Sequence, residues 1–348
     1  MTAGPILIWG AGAIGGTLGA YWARAGLPVL MVDIEAAHVE ACRTTGLAIS
    51  GPVEQFRQVV PAVTPDELEG QFEVIVLAVK AQATEAALAQ LAPHLSPRGY
   101  VLSAQNGLNE IAIARAVGAA RTMGCFVNFG ADWLGPGEIL FGNRAAVVVG
   151  EIDGSVRERT RQMHAWLAMF EPGAVLTDNI WGYLWGKLAY GAMLFATALT
   201  TDSMTANFED ARRFVVFDRL AREVMAVATA RGVKPVGFNG FDPACFALGA
   251  PVDGARASIA ALAEFNRHTA KTHSGIYRDL AVRKRRTEVD PQIGVIADLG
   301  AEAGIGTPTI RHLVALIHAI EDGERPMDFG TFASLIATAK AARHAHPL

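Results

Sequence analysis

Residues 10–16 read Gly10-Ala11-Gly12-Ala13-Ile14-Gly15-Gly16, directly after the apolar run Ile6-Leu7-Ile8-Trp9, and the next apolar run, 29–32, is followed at once by Asp33. Glycines at this spacing each have a physical task. Gly10 permits a tight strand-to-helix turn, Gly12 lets the backbone approach a pyrophosphate, and Gly15 lets the following helix pack close to the strand. A pyrophosphate on this loop, Gly10, Ala11, Gly12, Ala13, Ile14 and Gly15, sits at a helix N-terminus, where backbone N–H groups and the positive end of the dipole meet it. Asp33 stands where a carboxylate accepts hydrogen bonds from the adenosine ribose hydroxyls and repels a 2′-phosphate, which tilts NAD(P)H use toward NADH. Taken alone, a glycine-rich turn is structural, flavin nucleotides use the same turn, and Asp33 is a solvated turn acid. Strand, loop, helix and acid in this order point to a bound dinucleotide.

Other polar residues stand where substrate chemistry needs them. Lys80 ends the apolar run 74–79, at the edge of a sheet where ligands bind in open α/β folds. Gln105-Asn106-Gly107 follows the run 100–103 on the same rim; Asn106 has the groups to bond a ribose or carboxamide, and Gly107 supplies an unusual backbone angle. Lys187, in Trp185-Gly186-Lys187-Leu188, has apolar neighbours on both sides and reads as the start of an apolar helix. A lysine so placed must find a partner, and a desolvated ammonium gives up its proton more readily, as a general acid must. Each has a plain structural reading as well: a surface lysine, a turn pair, and a helix-start lysine reaching solvent.

The elements that must carry these residues follow from periodicity. Strand-like runs at 6–9, 29–32, 74–79, 100–103 and 122–126 are separated, in the earlier part, by helix-like segments, which implies a parallel sheet covered on both faces. Runs at 138–141 and 145–150, after a Gly135-Pro136-Gly137 turn, read as a closing hairpin. Beyond Trp181 strand signals vanish, and 212–231, 255–272 and 291–303 show helical spacing. Breaks fall at 232–235, at the loop-like 237–251 and at 304–308, where Thr307 is placed to cap the next helix. The fold class is α/β: a Rossmann-type dinucleotide-binding domain over residues 1–175, then an all-α substrate and catalytic domain over 176–325. Residues 326–348 read as a C-terminal helix and a tail containing His344 and His346.

With 348 residues the chain can bury two cores, and a formal charge of −4 gives no electrostatic bias toward nucleic acid. Arg283-Lys284-Arg285-Arg286 is the one dense basic run, read as a solvated helix face or part of an anionic pocket. Cys42, Cys125 and Cys245 are odd in number and widely spaced, so neither a disulfide framework nor a metal site is indicated, and a reducing cytoplasm fits. No signal peptide is expected ahead of the first strand, and 188–199 is too short to span a bilayer, so no membrane role is expected.

The glycine loop, Leu77-Ala78-Val79-Lys80-Ala81, Gln105-Asn106-Gly107, Leu184-Trp185-Gly186-Lys187-Leu188 and Ser274 through Asp279 to Thr287-Glu288-Val289-Asp290 together resemble the ketopantoate reductase family, in order and spacing, over nearly the whole chain. The resemblance implies an NAD(P)H-dependent reduction of a 2-oxoacid in pantothenate biosynthesis, in a cleft between a Rossmann and a helical domain. It makes Lys187 the general acid on the ketone oxygen, places Glu288 near the substrate hydroxyl, and sets Ser274 on the substrate carboxylate. It puts Lys80 and Asn106 against cofactor and substrate. The stretch from Ser274 to Glu288 is longer than usual in the family, which leaves His273 a second candidate for the carboxylate.

The family usually presents asparagines one and two turns after the catalytic lysine; Gly191 and Phe195 stand there. Hydrogen bonds to a small hydroxylated keto acid are lost at these substrate positions, and an apolar or bulkier group is accommodated. Asp33 likewise departs from the NADPH use common in the family. Two further readings are an NAD-dependent dehydrogenase oxidising a secondary alcohol in catabolism, and a dinucleotide-binding sensor without catalysis. A homodimer through the helical domain is a further expectation.

Overall fold

The computed structural model describes residues 4–238, 240–268 and 272–345; His346 lies outside them, as does the His344 side chain. Two compact units divide the chain, Met1–Ile180 and Trp181–Leu348.

The first unit is built on an eight-stranded sheet. Its strands are β1 (Ile6–Trp9), β2 (Val29–Val32), β5 (Ala62–Val63), β6 (Phe72–Leu77), β7 (Leu95–Ser103), β8 (Thr122–Val127), β11 (Val147–Glu151) and β12 (Val175–Leu176), in the order β12-β11-β8-β7-β6-β1-β2-β5. All neighbouring pairs are parallel except β11 with β8. The period of two sorts side chains to opposite faces: Ile6 and Ile8 of β1 join one core with Met31, Val76 and Leu102, while Leu7 and Trp9 join another with Val32, Ile75 and Leu77. Helices α1 (Ala13–Arg24), α2 (Ala36–Arg43), α3 (Thr84–Leu91), α4 (Asn109–Val117) and α5 (Glu158–Phe170) complete the unit. Trp22 of α1 donates from Nε1 to the Trp166 carbonyl of α5 at 2.7 Å, fastening the two helices to each other.

The expected hairpin of 138–141 with 145–150 is not formed. A second sheet of four strands, β3 (Leu47–Ser50), β4 (Phe56–Gln58), β9 (Gly130–Gly135) and β10 (Glu138–Asn143), runs β4-β3-β10-β9, and the Gly135-Pro136-Gly137 turn joins β9 to β10. β11 instead pairs with β8 in the large sheet. The reason is burial: β11 is buried at every position, as an internal strand must be, whereas β10 alternates.

The second unit is helical: α6 (Ile180–Thr197, entering from the first unit), α7 (Met204–Glu209), α8 (Phe214–Ala230), α9 (Val252–Arg267), the short turn α10 (Gly275–Tyr277), α11 (Val295–Glu302), α12 (Pro308–Glu321) and α13 (Phe329–Ala345). α13 packs on α8 and α12. Three local expectations need correction. α6 begins at Ile180, so Lys187 lies two turns inside it; Gly182 and Gly186 weaken the helical signal there. Gly186 is required nonetheless, because a Cβ would stand 2.1 Å from the Val236 carbonyl oxygen. Thr307 occupies the N-cap of α12 without a side-chain cap bond; the buried Glu223 of α8 accepts from Thr309 N (3.2 Å) and Ile310 N (3.0 Å) in its place. Residues 283–286 are not a helix face, since Lys284, at φ 49°, lies in the left-handed region in a loop.

Candidate active site

In the first unit, the ends of four adjacent strands deliver the predicted cofactor residues to one edge. β7, β6, β1 and β2 lie side by side, and their C-terminal ends lead into Asn106, Lys80, Gly10 and Asp33 respectively. Gly10 has φ 98°, and a Cβ on it would meet Val79 N at 2.8 Å. A Cβ on Gly15 would stand 2.0 Å from the Gly10 carbonyl oxygen, so both positions exclude any side chain. Above Gly12 the space is open, with no atom within 4 Å of an added Cβ. Gly12 is the N-cap of α1, no side chain caps it, and the first turn carries no acid. An open cradle at an uncapped, acid-free helix N-terminus fits a pyrophosphate.

Asp33 serves this loop as well as facing outward. Its Oδ2 accepts from Ala11 N at 2.8 Å and its Oδ1 from Glu35 N at 3.0 Å. The next two loops are laced together by the Gln105 side chain of the rim motif and by Thr84 and Asn109, which carry no sequence signal for that role. Gln105 Nε2 donates to the Val79 carbonyl and to Thr84 Oγ1, both at 2.8 Å; Thr84 donates to Asn109 Oδ1 at 2.9 Å; Asn109 Nδ2 donates to the Asn106 carbonyl at 2.8 Å. The exposed Lys80 and Asn106 thus stand on loops of fixed shape, and Gly107 adopts φ 104°. Beneath them Glu110 is fully buried, and burial pushes its carboxyl up to about 8. No sequence signal marks that state.

In the second unit, α6 turns a half-buried face through Tyr183, Lys187, Tyr190, Gly191 and Leu194, while Leu184, Trp185, Leu188 and Ala189 are buried. Gly191, one turn after Lys187, leaves open space on that face, with no atom within 4 Å of an added Cβ. Phe195, a turn further, is 1% exposed and belongs to the interior. Ser274 is buried and caps α10, accepting from Tyr277 N at 3.2 Å, which leaves its hydroxyl proton to donate. Two bonds hang this segment from the α6–α7 connection and the start of α7: His273 Nε2 to the Thr201 carbonyl at 3.1 Å, and Met204 N to the Thr272 carbonyl at 2.9 Å.

Glu288 is half-buried between two π-helical turns, Arg278–Val282 and Asp290–Gly294. Its segment is pinned from α12: Glu321 Oε1 accepts from both Thr287 N (2.7 Å) and Thr287 Oγ1 (2.8 Å). Glu321 Oε2 meets Arg286 Nη1 (3.2 Å) and His318 Nδ1 (3.0 Å), and His318 Nε2 reaches Asp290 Oδ1 at 2.9 Å. Burial alone would lower the His318 pKa; the bonds to Asp290 and Glu321 outweigh it and hold the ring above its ordinary value. The three arginines of the basic run are engaged in such pairs: Arg283 and Arg285 bind Asp279, and Arg286 binds Glu321 and Asp322. Among the described residues, no group of His, Cys, Asp and Glu is arranged to hold a metal ion, and no helix is long and apolar enough to cross a membrane.

Comparison with known proteins agrees with this architecture. The profile described as Ketopantoate reductase PanE/ApbA matches residues 6–154, and that of its C-terminal part matches residues 179–321. A 2-dehydropantoate 2-reductase of Mesorhizobium japonicum is 28% identical, covering 91% of this chain and 98% of that protein; one of Archaeoglobus fulgidus is 27% identical with the same coverage. Among solved structures, a PanE/ApbA family ketopantoate reductase from Ralstonia eutropha superposes with a TM-score of 0.75 at 26% identity, over 92% of this chain and 99% of that one. D-mandelate dehydrogenase, solved with NADH and anilino(oxo)acetate, shares the fold with a TM-score of 0.79 at 23% identity, with the same coverage. The glycine loop with its acid, the two laced loops, the lysine inside α6 and the pinned glutamate all fall within the matched segments: the chain belongs to the ketopantoate reductase family.

Proposed function

We propose that Lys187 donates the proton when this NAD(P)-dependent oxidoreductase reduces a 2-oxoacid to a 2-hydroxyacid, with Glu288 acting beside it and Ser274 holding the substrate carboxylate. The observation that carries this reading is the setting of Lys187: a cation on a half-buried, otherwise uncharged helix face, with open space one turn further on at Gly191. A dinucleotide held by its pyrophosphate on the glycine loop would supply the hydride from its nicotinamide ring. Lys187 delivers a proton to the carbonyl oxygen as charge builds there, Glu288 accepts from the emerging hydroxyl or from the lysine, and the Ser274 hydroxyl donates to the carboxylate. Lys80 and Asn106 hold the nicotinamide side of the cofactor and the near end of the substrate.

Three finer readings belong with it. The Asp33 carboxylate favours NADH, since it accepts from ribose hydroxyls and repels a 2′-phosphate. The enzyme works in the cytoplasm, in keeping with its three free cysteines, of which Cys42 and Cys125 are buried. It acts as a homodimer.

The relatives are named for 2-dehydropantoate. At Gly191 this chain offers open space where the family usually places a hydrogen-bonding group, and Phe195, buried in the interior, supplies none a turn further, so 2-oxoacids with apolar substituents are the better substrates. Comparison of kcat/KM for ketopantoate with a panel of branched and aromatic 2-oxoacids tests this. A preference of about tenfold or more for an apolar member supports it; a clear preference for ketopantoate refutes it and returns the enzyme to the relatives' reaction.

A further inference from the structure

Ala11, inside the glycine loop, is held at both of its backbone polar groups by side chains of the next βα unit. Its N–H goes to Asp33, as above, and its carbonyl oxygen lies 2.8 Å from Nε2 of His38 on α2. His38 is 1% exposed. Its other ring nitrogen, Nδ1, faces two donors: the Gly137 N–H at 2.9 Å and the Trp133 indole Nε1–H at 3.3 Å. Neither donor can be turned round, so Nδ1 is bare and the single ring proton resides on Nε2, pointing at the Ala11 carbonyl. The Cys42 thiol lies 3.7 Å from Nε2, and burial pushes it up to about 12, so it brings no negative charge to the ring. One neutral imidazole of fixed tautomer therefore joins three elements: the glycine loop, α2, and the β9–β10 turn of the small sheet. The small sheet also presses on α1 directly, since a Cβ on Gly16 would stand 2.6 Å from Ile139 Cδ1 of β10.

We infer that His38 is a positioning residue for the dinucleotide: by fixing the Ala11 peptide against the small sheet, it aims the N–H groups at the start of α1 at the pyrophosphate. The inference rests on the reading of residues 10–15 as the dinucleotide loop. The four-stranded sheet then belongs to the cofactor site, tied to the Ala11 peptide through His38 and packed on α1 through Ile139.

Asparagine and glutamine separate the two halves of the bridge. An asparagine amide oxygen stands near Nδ1 and keeps the Gly137 bond without reaching Ala11; a glutamine amide nitrogen stands near Nε2 and keeps the Ala11 bond. Dissociation constants for NADH and NADPH are measured by titration on the full-length His38→Asn, His38→Gln and Trp133→Phe variants, with steady-state constants and thermal unfolding alongside. His38→Asn is expected to weaken both nucleotides by about tenfold or more, the worth of one buried hydrogen bond, with kcat at saturating cofactor and KM for the 2-oxoacid unchanged. His38→Gln, which keeps the Ala11 bond but gives up the acceptor for Gly137 and Trp133, and Trp133→Phe, at a part-exposed position, are each expected to weaken binding by about two- to fivefold. Unchanged nucleotide affinity in both His38→Asn and Trp133→Phe, or in Trp133→Phe alone if His38→Asn does not fold, overturns the inference. Failure of the parent protein to bind either nucleotide overturns the loop reading and this inference together.

Discussion

Replacement of Asp33 by alanine tests the cofactor edge with effects that can be apportioned. The carboxylate accepts from Ala11 N at 2.8 Å and from Glu35 N at 3.0 Å, so its removal costs the loop two bonds to a charged acceptor whichever nucleotide is present. A bond to a charged group is worth about 1.5–3 kcal/mol when buried, and less at this half-exposed site. That loss is common to NADH and NADPH. On the proposed ribose contact, NADH also loses hydroxyl bonds, whereas NADPH is relieved of a carboxylate facing its 2′-phosphate, worth about 1–4 kcal/mol at 4 Å between the dielectric of water and that of a protein surface. Since about 1.4 kcal/mol is tenfold, kcat/KM with NADH is expected to fall by about 100-fold and that with NADPH by about tenfold or less. Steady-state assays at one saturating 2-oxoacid measure both. Asp33→Asn, which keeps one acceptor for Ala11 N, is expected to move the ratio in the same direction with a smaller common loss. A parallel fall of both cofactors, with their ratio within twofold of the parent, would refute the ribose role and leave Asp33 a loop anchor only.

Two further predictions concern buried charge. Glu110, at about 8 in the fold and in the ordinary carboxylate range when unfolded, favours folding most when protonated; its contribution is full below the unfolded value and is lost as pH rises toward 8. Glu110→Gln is therefore expected to unfold at a higher temperature than the parent at pH 8 and to lose that advantage near pH 5, each unit being worth about 1.4 kcal/mol; a pH-independent difference contradicts this. Glu321→Ala removes the acceptors of Thr287, Arg286 and His318 together, loosening Thr287 beside Glu288, and is expected to lower kcat by about tenfold without raising the nucleotide KM. Protonated His318 stabilises the parent at low pH and loses that effect as pH rises through its raised value, a decline that Glu321→Ala should flatten in thermal unfolding.

What the sequence disclosed depended on how local the signal was. β1 and β2 are four-residue apolar runs bounded by Gly10 and Asp33, and both were legible to the residue, as was Gly107 in its left-handed turn. Partners that meet only through the fold were not. The expected hairpin of 138–141 with 145–150 gives way to β9–β10 pairing, because alternation along 138–141 does not reveal that β11 is buried on both faces. α6 was started too late because its two early glycines lower helical propensity, and the close approach of the Val236 carbonyl that requires Gly186 is a tertiary fact. Likewise the cap of α12 comes from Glu223, distant in sequence, where Thr307 had the right residue type and position. His38, Gln105, Asn109 and Glu321 act by holding backbone, and a residue that holds backbone has no spacing rule by which to find it.

Whether Lys187 is the proton donor in 2-oxoacid reduction is decided by following NADH and NADPH oxidation with a 2-oxoacid panel that includes ketopantoate, for the parent and for Lys187→Met, with nucleotide dissociation constants measured on both proteins. Expected are turnover of at least one 2-oxoacid by the parent, a fall in kcat of about 10²- to 10⁴-fold in Lys187→Met, and unchanged nucleotide binding. Full activity in Lys187→Met, or tight nucleotide binding by the parent with no 2-oxoacid turned over, would contradict that role.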